Sequence, residues 1–97
     1  MNYRFTGGSQ QSQIDQALSE YHLCDKHRLW AKAWLVKRLN PFITYRQVGE
    51  QLDISTSKAY HCEAKAEEER NDNPYFLELT GTIRDRFLPK TIERLIA

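Results

Sequence analysis

Two helix-start signals stand close together in this chain, and they leave room between them for only one short helix and one tight turn. Thr44 and Gln47 have the spacing of a capping box, in which the two side chains satisfy amides that the first helical turn leaves free. Ser55 is a favoured N-cap residue and opens a second helix that can run to about Arg70. The first helix therefore stops near Leu52, and Asp53-Ile54 make the turn. Helices joined this tightly must cross at close range. Gly49 supplies the small residue at the crossing, and Val48, Leu52, Ile54, Ala59 and Cys62 fall at the offsets that line it with apolar groups. Aspartate tolerates a left-handed backbone, so Asp53 suits a turn position that glycine often fills. The segment from Thr44 to Lys65 reads as a helix-turn-helix.

The rest of the chain supports an all-α fold, a small helical domain of about five helices with this motif at its centre. Apolar residues recur at helical spacing from Ile14 onward, and few β-branched residues alternate as a strand requires. A first helix is expected from Ser12, as its cap, to Leu23, with Ile14, Ala17, Leu18 and Tyr21 on one face. A second is expected to start at the cap Asp25 and to carry Leu29, Trp30, Ala33, Trp34, Val36 and Leu39. That apolar stripe is wide, which puts the helix and both tryptophans in the core. Asn40-Pro41 ends it, because the residue before proline avoids helical angles. Asn71-Asp72-Asn73-Pro74 is the clearest break. After it come Tyr75, Phe76, Leu79, Ile83 and Phe87, with Gly81 as a weak point and Pro89 opening a last short helix with Ile92, Leu95 and Ile96. The organisation is a flexible segment over residues 1–12, a helix-turn-helix DNA-binding domain over 13–73, and a helical segment over 74–97. This last segment either completes the core or joins two subunits. The second is favoured, because helix-turn-helix proteins commonly occupy paired half-sites as dimers.

The stretch Val48 to Ala66, V-G-E-Q-L-D-I-S-T-S-K-A-Y-H-C-E-A-K-A, resembles the fourth region of bacterial housekeeping sigma factors. That region reads the upstream promoter element with a helix-turn-helix. Val48, Gly49, Gln51, Glu63, Ala64, Lys65 and Ala66 match it directly, and Leu52, Ile54 and Ser55 match conservatively. The resemblance implies double-stranded DNA as the partner and transcription regulation as the role. Small phage and mobile-element regulators reuse the motif, and this chain is similar to them in size. It departs from the family where bases are read: an Arg-Glu-Arg run and a later arginine are replaced by Thr56, Ser57, Lys58 and Tyr60. The sigma target sequence is therefore not carried over. The second helix of such a motif puts its N-terminal residues near base edges, which assigns base contacts to Thr56, Ser57, Tyr60 and His61. Thr44, Arg46, Ser55, Lys58 and Lys65 are assigned to phosphates, which fix register.

The formal net charge is only +1, so nonspecific attraction to nucleic acid is weak and local placement has to supply it. The stretch from His22 to Arg46 is basic, and Glu63 to Asp72 is acidic around Glu67, Glu68 and Glu69. The acidic run motivates an alternative, a sigma-mimicking module that binds RNA polymerase or another protein through those three residues. A packaging or recombination factor of the small-terminase kind is a further alternative. His22, Cys24, His27, His61 and Cys62 do not have a common zinc-finger spacing, and no metal is expected. There is no phosphate loop, dinucleotide fingerprint or nucleophile with an oriented base, so neither an enzyme nor a cofactor is expected. No run approaches the ~20 apolar residues of a membrane span. The N-terminal stretch lacks a signal core, and two cysteines make no disulfide framework, which points to the reducing cytoplasm.

Overall fold

The computed structural model describes the backbone of residues 6–96 and the side-chain surroundings of residues 10–87. Five helices follow one another: α1 (Thr6–Leu18), α2 (Asp25–Leu39), α3 (Tyr45–Leu52), α4 (Thr56–Asp72) and α5 (Pro74–Ile96). No strand occurs among the described residues, and the fold class is all-α as expected. No described helix is long and apolar enough to cross a membrane.

α2 is the central element, because each of the other four helices packs on it. Ala31, Ala33, Trp34, Leu35 and Val36 give it a buried surface wider than one stripe. Trp34 is buried and Trp30 is only half-buried, so the expected core pair divides. The α2 cap is Cys24 rather than Asp25: its sulfur accepts from the His27 amide at 3.5 Å, and Asp25 becomes the first helical residue. There its negative charge suits the positive end of the helix.

α1 starts at Thr6 and ends at Leu18, earlier at both ends than expected. Ser12 is an interior, exposed residue and not a cap. Gly7 and Gly8 lie inside the helix, so the expected lead-in over 1–12 is helical from residue 6, and residues 1–5 lie outside the described ones. Glycine costs a helix only ~1 kcal/mol per residue, which other contacts can offset. Tyr21 and Leu23 pack on the core from the connecting loop, and Arg28 donates to the carbonyls of Leu18 and Leu23 across it.

The described side chains of α5 complete the core, the first of the two alternatives for this segment. Phe76, Leu79 and Ile83 are buried in the chain's own core against α2 and α4, and Phe87 packs at its edge. Thr80 is buried among them; its hydroxyl donates to the Phe76 carbonyl and accepts from Arg70 Nε. The helix runs through Gly81 and continues past Pro89 as one element, where a separate short helix was expected. The side chains of Ile92, Leu95 and Ile96 lie outside the described residues.

Candidate nucleic-acid interface

The geometry of α3 and α4 follows from local signals. At Thr44 the capping box is complete: the hydroxyl accepts from the Gln47 amide at 3.1 Å, and Gln47 Oε1 accepts from the Thr44 amide at 2.9 Å. α3 closes on Asp53, the only non-glycine residue with positive φ among the described residues (φ 61). The amides of Asp53 and Ile54 both donate to the Gly49 carbonyl, which folds the turn back under α3. Gly49 is required there: a Cβ would lie 2.6 Å from the Ile54 carbonyl oxygen and 3.2 Å from the Ser55 carbonyl group. Ser55 then caps α4, its hydroxyl accepting from the Lys58 amide at 3.1 Å.

One side of α4 is fixed. Ala59, Cys62 and Ala66 are buried, and burial raises the Cys62 thiol pKa. Glu63 is also nearly buried, and its carboxylate accepts from the Arg38 guanidinium at 2.7 Å and from the Tyr45 hydroxyl at 2.5 Å. This joins α2, α3 and α4 at one point. That hydrogen bond, with burial, pushes the Tyr45 phenol up to about 12. Arg38 also bonds Glu67, which accepts from Trp34 Nε1 at 2.9 Å. Burial alone would raise the Glu67 carboxyl, but the bonds from Trp34 and Arg38 outweigh it and hold the group below its ordinary value.

The other side is open. Thr56, Ser57, Tyr60 and His61, the residues assigned to bases, are all exposed and lie on the first two turns of α4. None of their side chains is in a hydrogen bond among the described residues. The Tyr60 ring is 60% exposed and rests edge-on against Tyr45, 5.2 Å between centroids, which fixes its direction without covering it.

The residues assigned to phosphates are less uniform. Arg46 is exposed at the start of α3, with only a loose 3.5 Å contact to Glu50. Lys58 is exposed and has no ion pair among the described residues. Lys65 lies two turns further along α4 on the same side as Lys58 and is paired with Glu68 at 3.6 Å. The hydroxyls of Thr44 and Ser55 are engaged as helix caps, so holding the motif together is their first role.

The acidic run does not form one patch. Glu67 is turned to Trp34 and Arg38, Glu69 to Asn73 and His27, and only Glu68 is exposed, beside Lys65. Consecutive residues on a helix point ~100° apart, so three adjacent carboxylates cannot share a face. Cys24 and His27 are likewise occupied, in the α2 cap and against Trp30 and Phe76. Sequence reasoning missed Glu63 as the junction of three helices and Lys26 as lining one groove with Lys58; neither carries a local signal. No family model matches the chain, and neither a curated protein nor a solved structure does.

Proposed function

We propose that this protein binds double-stranded DNA sequence-specifically and regulates transcription, with α4 as the helix that enters the major groove. The observation that carries this reading is the uncovered polar ridge of Thr56, Ser57, Tyr60 and His61. It stands at the start of a helix whose opposite side is fixed to α2, α3 and α5. A helix ~10–12 Å across fits a major groove ~12 Å wide, and its first turns come nearest the base edges. Serine and histidine offer donors and acceptors there, and the Thr56 methyl and the Tyr60 ring suit a thymine methyl. Arg46 and Lys58 flank the ridge from α3 and α4 and suit phosphates. A homodimer on paired half-sites fits the reading, with contacts other than the buried faces of Phe76, Leu79 and Ile83.

Selection from a random duplex pool, followed by mobility shift at two salt concentrations, tests the reading. Ser57→Ala and His61→Ala are expected to cost ~1–3 kcal/mol on the selected site and little on random DNA. Arg46→Ala is expected to weaken all sequences alike and to lower the salt slope by about one. Enrichment of no duplex, with no shift even at low salt, overturns it.

A further inference from the structure

α2 precedes the helix-turn-helix, yet its first turn forms an open groove with α4. Asp25, Lys26, Leu29 and Trp30 line it from α2, and Lys58 and His61 line it from α4. Nearly every basic side chain described in this structure is engaged within the molecule. Lys32, Arg38, Arg46, Lys65, Arg84 and Arg86 all pair with carboxylates. Arg28 and Lys37 donate to backbone carbonyls and Arg70 to Thr80. Lys26 and Lys58 are the exceptions: among the described residues neither has a carboxylate or a hydrogen-bond partner. The Lys26 ammonium stands over the Trp30 ring, 5.3 Å from its centroid. Asp25 shares the groove without pairing to either lysine.

Lys26 and Lys58 thus bring two cations from different helices to one groove, against the single carboxylate of Asp25. The groove also has an apolar floor of Leu29 and the half-buried Trp30, which a bare inorganic anion would not use. An extended chain that alternates anionic and apolar units suits both features. The groove borders the side of α4 next to the base-reading ridge, where one strand runs when a helix lies in the major groove. We infer that this groove holds the backbone of one DNA strand, with Lys26 and Lys58 on phosphates and Trp30 and Leu29 against the deoxyribose. The inference rests on the DNA-binding reading and adds a contact from outside the helix-turn-helix.

The test compares the full chain with Lys26→Ala and Ser57→Ala on a selected duplex and on a random one, across a salt series. Iodide quenching of tryptophan emission, with and without duplex, is the second readout. Trp34 is buried, so quenching by iodide reports Trp30. Lys26→Ala should weaken both duplexes alike, by about five- to tenfold at 0.1 M salt, and lower the salt slope by about one. Bound duplex should shield Trp30 from iodide. If Lys26→Ala leaves affinity and slope unchanged while Ser57→Ala still erodes selectivity, the groove assignment fails and the DNA-binding reading stands. A Lys26→Ala loss with Trp30 still open to iodide overturns the placement of the strand in the groove. Absence of binding to any duplex by the unaltered chain overturns both.

Discussion

On the side of α4 that faces α2, Ala59, Cys62 and Ala66 are buried and Glu63 is held by Arg38 and Tyr45. On the opposite side Ser57, Tyr60 and His61 are exposed and make no side-chain hydrogen bond among the described residues. Buried polar groups must be satisfied to be tolerated, and a satisfied network allows few alternative packings. The inner side therefore fixes where the outer side points. The outer side leaves its donors and acceptors unengaged among the described residues, which is what the proposed DNA contact requires. Substitutions on the two sides should separate into losses of stability and losses of binding.

The largest effect tests whether the inner side extends to α5. Deleting everything after Asn73 removes Phe76, Leu79 and Ile83, each at most 1% exposed. Truncating one such residue to alanine typically costs ~2–5 kcal/mol, against ~5–15 kcal/mol for a whole domain. The shortened chain should lose its cooperative melt by circular dichroism. A folded, DNA-binding fragment would show that α4 is held without α5.

Next comes Glu63→Ala. Breaking a buried ion pair costs ~3–5 kcal/mol, but Arg38 is about a third exposed and keeps Glu67, so ~2–3 kcal/mol is expected. Ser57→Ala and His61→Ala should change stability by no more than ~0.5 kcal/mol. Denaturant titration compares the three, and a larger loss on the outer side would reverse the comparison. The same network has a pH signature. The folded Glu67 carboxyl lies below its ordinary value of 4.5, so its contribution is full above that value and is lost as pH falls through the lower folded one. Glu67→Gln should flatten that part of the acid-denaturation profile.

The two sides were unequally legible in the sequence. Thr44, Gln47, Gly49, Asp53 and Ser55 were readable because each acts on neighbours within about one helical turn, where spacing alone states the geometry. The outer ridge followed from those starts by helical periodicity. Glu63 was not readable as a junction, because Arg38 and Tyr45 lie far from it in sequence and only the packing of α2 across α4 brings them together. The same distance hid the neighbourhood of Lys26 and Lys58. α5 meets a related limit: helical spacing shows that Phe76, Leu79 and Ile83 share a face, but not which surface covers it. At α2, cap choice turned on one residue of register, and the more favoured cap type, Asp25, lost to Cys24.

Gly49→Ala probes the crossing on which both sides depend. The added methyl would meet the Ile54 carbonyl oxygen at 2.6 Å, and backbone cannot rotate away as a side chain can. Overpacking of this kind costs ~1–3 kcal/mol. The variant should melt lower and also bind its selected duplex less well, because α4 must tilt to admit the methyl. Loss of stability with unchanged selectivity would mean that the angle between α3 and α4 does not set the reading face.

The smallest expected effect is at Asp53, and it separates the turn from both sides of α4. Its left-handed backbone (φ 61, ψ 46) costs an L-residue ~1–2 kcal/mol, less for aspartate than for most. Glycine removes that strain but adds ~0.4–1 kcal/mol of unfolded-state entropy to be lost on folding. Asp53→Gly should therefore raise stability by less than ~1 kcal/mol, whereas Asp53→Ala, with the strain and without aspartate's local hydrogen bonding, should lower it by about as much. Asp53 is exposed and lies off the ridge of Ser57, Tyr60 and His61, so neither change should alter which duplex is selected. Asp53→Asn keeps the tolerance for left-handed backbone and removes the charge. If it behaves like the alanine variant, the carboxylate near the start of α4 stabilises through the helix dipole, and backbone conformation is not what selects aspartate there.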